Sequence, residues 1–230
     1  MNKRMLFVFT IFLLGCFFAG CAGGGRYIKE PSAAPEIGIF AASDDLHVTL
    51  NCLIYANGPG SWLKDAPWHE YVLSIKTPKD KILTIYKFAL VDPTGVERMS
   101  GAHPVQLQKE SETLLKIYQK EGISTAVMAG SVATAVLANI PLLGAATHLV
   151  LGGVGHSGRY ADVKEGEAIQ TEFKRRQLPF PLSLSEKADV RGSVFFPVIP
   201  NPKALVIEYR AGKAMESKTL KILLEKVQSK

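Results

Sequence analysis

The sequence predicts an α+β chain: an antiparallel β-sandwich in two parts, split by a helical, apolar insertion rich in alanine and glycine. Three observations predict it. Apolar and polar side chains alternate from His47 to Tyr55 and again from Leu205 to Arg210, the period of a half-buried strand. Turn signals containing Pro or Gly separate these runs. Between the two β blocks, residues 122–158 hold no Asp, Glu, Lys or Arg. The expected boundaries are 1–20 for a signal, 21–40 for a tether, 41–104 for the first part of the sandwich, 105–180 for the insertion and 181–230 for the second part.

The chain opens with Asn2-Lys3-Arg4, an apolar run from Met5 to Phe18, and Ala19-Gly20-Cys21. A basic start, an apolar stretch short for a bilayer span and small residues before a cut site make an export signal. The small pair followed by cysteine resembles the lipobox of bacterial lipoproteins. That resemblance implies cleavage before Cys21, acyl chains (palmitate among them) on its sulfur, and a location at the membrane. Ala22 stands where the class places an aspartate for inner-membrane retention, which implies the outer membrane, facing the periplasm. Leu13-Leu14-Gly15-Cys16 also ends in Gly-Cys, but with the bulky Leu14 near the cut; an ordinary signal cut near Gly24 is the unlipidated alternative.

Composition bounds the rest. Of a formal net charge of +6, Lys3 and Arg4 supply two and leave with the signal. The remainder is scattered, which gives no argument for nucleic acid as a partner. Of the 3 cysteines, Cys16 is discarded and Cys21 carries lipid, so Cys52 is left without a disulfide framework. It falls on the apolar side of a predicted strand, where a buried, inert thiol is expected.

Residues 23–36 carry Gly23-Gly24-Gly25 and two prolines, with no apolar period, and read as a flexible tether. Val48, Leu50, Cys52 and Ile54 mark the first strand. Asn57-Gly58-Pro59-Gly60 is a loop; a strand at Tyr71–Ile75 and another at Ile82–Val91 follow, giving three strands of an antiparallel sheet before residue 100. Asp92-Pro93-Thr94-Gly95 suits a type I turn. After Pro104, Val105–Glu121 reads as an amphipathic helix. Ala126, Gly130, Thr134 and Ala138 then stand four apart, a stripe of small residues that lets a helix approach a partner closely. Two readings stay open: a helical hairpin buried on the sandwich or a partner subunit, or one that dips into the bilayer or pairs with copies of itself there. Glu165–Gln177, acidic first and basic last, reads as a surface helix. Gly192–Pro200 and Leu205–Arg210 read as strands; in Thr219–Val227, Leu220, Ile222 and Leu224 fit a strand and Leu220, Leu224 and Val227 a helix, and the favoured reading is a strand that closes the sheet.

Leu90-Val91-Asp92-Pro93-Thr94-Gly95 and Phe195-Phe196-Pro197 through Pro202 resemble the turn and late hairpin of immunoglobulin-type sandwich domains of exported bacterial proteins. The resemblance implies an immunoglobulin-like sandwich and brings no chemistry with it.

No catalytic constellation is read. Ser61, Asp65 and His69 lie close in sequence, but no G-x-S-x-G elbow is present. Gly153-Val154-Gly155-His156-Ser157-Gly158 spells a dinucleotide fingerprint without a convincing following helix or a second parallel strand, and helix termination by glycine explains the same letters. The five histidines are dispersed, so neither metal nor cofactor is expected. Trp62, Trp68 and Tyr71 form either a binding lip or aromatic caps on the core. The expectation is a non-catalytic, lipid-anchored envelope module with a protein partner or self-association. The alternative is a membrane-inserting oligomer using residues 123–155.

Overall fold

A computed structural model describes residues 26–78, 82–124, 163–185, 188–212 and 216–224. Cys21, the stripe Ala126, Gly130, Thr134 and Ala138, and the glycine run 153–158 lie outside the described residues.

The strands are β1 (Ile39–Ala42), β2 (His47–Ile54), β3 (Trp68–Lys76), β4 (Leu83–Val91), β5 (Glu97–Met99), β6 (Leu182–Leu184), β7 (Asp189–Pro197), β8 (Ala204–Ala211) and β9 (Glu216–Leu223), with helices α1 (Pro104–Lys120) and α2 (Val163–Arg176) between β5 and β6. One antiparallel sheet has the order β1-β2-β3-β7; the other runs β5-β4-β8-β9, with β6 pairing β4 beside β5. The strands expected before residue 100 therefore do not share a sheet. β2 and β3 pair, whereas β4 crosses to the second sheet and pairs β8. The two sheets enclose a core of Leu46, Val48, Leu50, Leu53, Tyr71, Leu73 and Ile75 from one and Ile85, Phe88, Leu90, Leu205, Ile207 and Tyr209 from the other, an antiparallel β-sandwich.

A bulge in β2 modifies the expected alternation. Leu50 pairs Leu73 but Cys52 pairs Val72, so Asn51 is the extra residue. One added residue reverses the side-chain parity. Leu53 thus joins Val48 and Leu50 in the core cluster, and Cys52 does not. Cys52 is nevertheless buried, and burial raises its thiol pKa, as an inert thiol requires.

Helix α1 matches its sequence pattern. His103 caps it, its Nδ1 accepting from Val105 N–H, with Pro104 in the first turn. Gly122 ends it at φ +73, a left-handed conformation that glycine adopts without a Cβ clash, and Ile123 N–H returns to the Tyr118 carbonyl at 2.8 Å. Its inner stripe is Leu107, Ser111, Leu114, Leu115 and Tyr118. The Ser111 hydroxyl accepts from Val198 N–H at 2.9 Å, which ties the helix to the end of β7.

The stretch assigned to a flexible tether needs correction from residue 26 onward. Ile28 N–H donates to the Trp62 carbonyl, Ile37 N–H to the Asn51 carbonyl, and Ile39–Ala42 adds β1 to the sheet. These contacts are non-local, so a window of Pro, Ala and Ser residues gave no sign of them.

Candidate functional site

The outward face of β3 and β7 carries the densest chemistry. Strand parity sends His69, Tyr71 and Leu73 inward and leaves Trp68 and Glu70 outside, opposite Pro197 and Phe195, with Ser193 one pair along. Over this face lie the 55–67 loop and α2. Trp62, Leu63, Ala66, Trp68, Leu107, Phe173 and Phe195 make a second apolar cluster. Phe173 stacks on Phe195 with ring centroids 4.0 Å apart and meets Trp68 edge-on at 5.5 Å. Full burial of Phe173 stabilises the docked helix by about 2–3 kcal/mol, so α2 is not the purely surface helix its charges suggested.

At the centre of the cluster is a buried carboxylate. Glu70, 2% exposed, accepts from Trp62 Nε1–H at 2.9 Å, from the Ser193 hydroxyl at 2.6 Å and from Arg176 at 3.3 Å. Arg176 lies over the Trp62 ring at 5.5 Å and gives a second hydrogen bond to Glu172 at 2.7 Å. Arg175 pairs with Glu172 as well. Its hydrogen bond, more than that of Arg176, overcomes the effect of burial and lowers the Glu172 pKa to about 2. Glu70 and Glu172 therefore share Arg176 beside the aromatic rings, and the exposed Arg175 completes the charge balance from the solvent side.

Two glycines permit this packing. A Cβ on Gly192 would sit 2.6 Å from Leu178 Cδ2 and 3.3 Å from the Arg176 carbonyl oxygen, and one on Gly101 would sit 2.4 Å from Leu107 Cδ2. Only bare backbone lets the end of α2 and the start of α1 close on β7.

The arrangement is a clasp. Both Glu70 oxygens are engaged, which leaves the carboxylate poorly placed to take a proton from a substrate. Ser61 donates to the Leu63 carbonyl, Asp65 binds Asn57, and His69 faces the other side of the sheet, so the three do not meet. The cleft beside Trp62, Ser61 and Glu70 measures about 10 Å³, room for roughly one water. Among the described residues no group of three or more His, Cys, Asp or Glu is arranged to hold a metal, and no helix is long and apolar enough to cross a membrane.

Trp62, Trp68 and Tyr71 do not form a binding lip. They are 2%, 4% and 0% exposed, and Tyr71 points into the sandwich core while the two tryptophans pack outside it. Sequence reasoning missed Glu70, Glu172, Phe173, Arg176 and Ser193. A signal existed for two of them: Glu70 shares its strand face with Trp68, and Phe173 is a lone aromatic among charges. Comparisons with protein-family models, with curated proteins and with solved structures found no match to this chain.

The clasp also holds the N-terminal strip. Tyr27 meets the Trp62 ring at 6.2 Å and bridges Leu63. Its N–H donates to Glu165 of α2 at 3.1 Å, and Arg26 N–H donates to the same oxygen.

Proposed function

We propose that this chain is a lipid-anchored protein of the bacterial cell envelope, kept at the outer membrane and facing the periplasm by acyl chains on Cys21, and that it acts as a non-catalytic structural or interaction module. Ala19-Gly20-Cys21 behind a basic start and an apolar run carries this reading. Each acyl methylene buried in the bilayer contributes about 0.8 kcal/mol, so several chains hold a folded domain that one chain would release. The saturated hydrogen bonding of Glu70 agrees with a role in packing instead of turnover.

The finer fold reading is an immunoglobulin-like sandwich. Its support is connectivity: β2-β3-β7 against β5-β4-β8-β9 has the order of strands A-B-E against C′-C-F-G. Such domains present loops at their two ends to partners, which suits an envelope protein or a second copy of this chain.

A second reading, a membrane-inserting oligomer whose small-residue stretch 123–155 packs in or on the bilayer, is favoured by one contact. Glu165, seven residues past the uncharged run 122–158, holds Arg26, five residues past Cys21. The chain leaving the lipid and the chain leaving the apolar run thus reach the domain at one place.

Alkaline extraction of membranes tests both readings. A Cys21→Ala form, exported behind an ordinary cleavable signal, is expected in the soluble fraction while the native form stays with the membrane. Retention of both forms supports the second reading. An unmodified amino terminus on the native protein, seen by mass spectrometry, overturns lipid anchoring.

A further inference from the structure

We infer that the pole of the domain carrying Arg26, Lys64 and the start of α2 faces the bilayer and rests against phospholipid headgroups, with the opposite end of the sandwich directed away. This rests on acylation of Cys21. The lipid alone leaves orientation open, since a long flexible tether would let every face of the domain visit the membrane.

The clamp on Arg26 removes that freedom. Its guanidinium donates to the carbonyls of Lys64 at 3.3 Å and Asp65 at 3.0 Å, its own carbonyl accepts from Lys64 N–H at 2.8 Å, and its N–H meets Glu165. Tyr27 and Ile28 continue the attachment to Glu165 and to the Trp62 carbonyl. Only Ala22-Gly23-Gly24-Gly25 separate that attachment from Cys21 in the sequence. From Cys21 to Arg26 no conformation of the chain can span more than about 18 Å.

The domain is longer than that. β3, nine residues from Trp68 to Lys76, covers about 26 Å at the usual strand rise. Trp68 packs on Trp62 at the Arg26 end. At the other end Thr77 donates to the Ser185 carbonyl at 2.9 Å. The tether cannot bring the Ser185 end to the headgroups while Arg26 stays clamped. Charge plays the smaller part: exposed Lys29 and Lys64 are balanced by exposed Glu30, Asp65 and Glu167, so attraction to anionic lipid is weak and high salt should leave the orientation unchanged.

The test uses the full chain, expressed with its own signal and reconstituted into phosphatidylethanolamine–phosphatidylglycerol vesicles bearing a headgroup quencher. A dye is placed on Lys64→Cys or Ser185→Cys, each with Cys52→Ala. Severalfold stronger quenching at 64 than at 185, at low and high salt alike, is expected. Equal or reversed quenching overturns the inference. Glu165→Ala, which loosens the clamp, is expected to narrow the difference, and a difference unchanged in a folded Glu165→Ala protein counts against the clamp as its cause. The wild-type clamp carries the test if that variant does not fold. The mass of the amino terminus separates the two failures: an acylated protein with equal quenching overturns the orientation alone, and an unacylated one overturns the lipid reading beneath it.

Discussion

The Tyr118 hydroxyl donates to Oδ2 of the buried Asp92 carboxylate at 3.0 Å, joining the last turn of α1 to the turn that leaves β4. The other oxygen accepts from Thr94 N–H at 2.9 Å, the Thr94 hydroxyl at 2.6 Å and Val96 N–H at 2.9 Å, and Arg98 pairs with Oδ2 at 2.9 Å. Burial by itself raises the Asp92 pKa, but the bonds from Thr94, Val96, Arg98 and Tyr118 together outweigh it and hold the pKa below its ordinary 3.8. Asp92→Ala leaves the buried Tyr118 hydroxyl without an acceptor, while Thr94, Val96 and Arg98 can turn to water, and is expected to cost about 1–3 kcal/mol, as is Tyr118→Phe. Urea midpoints at unchanged m-value measure both. A carboxyl pKa lowered in the native state contributes stability that is present above the unfolded pKa and is lost as pH falls through the folded one. Asp92→Asn is expected to remove that part of the acid sensitivity.

A second acid sensitivity comes from His69. It is 1% exposed, neither ring nitrogen has a hydrogen-bond partner among the described residues, and its ring meets that of Tyr55 edge-on at 4.8 Å. Burial lowers its pKa from 6.5 to about 4. The unfolded chain takes up a proton below pH 6.5 that the native protein refuses until about 4, so stability declines across that window. The decline amounts to about 2 kcal/mol between pH 7 and pH 5. His69→Leu is expected to flatten Tm over this range; a Tm difference between the two pH values equal to that of the parent would contradict the assignment.

The clasp predicts a coupling. Glu70→Ala strands Trp62 Nε1–H, the Ser193 hydroxyl and part of Arg176, at an expected cost of about 3–5 kcal/mol. Glu70→Leu combined with Arg176→Met removes both charges but leaves Trp62 Nε1–H and the Ser193 hydroxyl without an acceptor, so only the share of the loss due to unpaired Arg176 should be recovered. A double-mutant cycle read by tryptophan fluorescence gives the interaction between the two positions.

Cys52, 6% exposed, reports on opening of the fold. In the native protein its thiol is expected to react with an aromatic disulfide reagent no faster than the domain unfolds, and in denaturant at the rate of a free cysteine. Fast reaction in the native state would place the thiol at the surface.

Local patterns in the sequence determined a good deal of this protein: the body of the α1 helix, the strands β2, β3, β4, β7, β8 and β9, the turn at Asp92-Pro93-Thr94-Gly95, and a buried Cys52. Each is written in a few neighbouring residues, where hydrophobic period and turn chemistry act. β1, β5 and β6 escaped notice because three or four residues are too few to show a period. Tertiary structure alone decided which sheet receives β4, that Asn51 bulges and turns Leu53 inward, that Trp68 and Tyr71 face opposite ways, and that Arg26 is clamped by Glu165 across 139 positions. Those outcomes follow from fitting apolar faces together and from finding partners for buried charges, and the residues that satisfy one another lie too far apart in the chain for any local window to hold both.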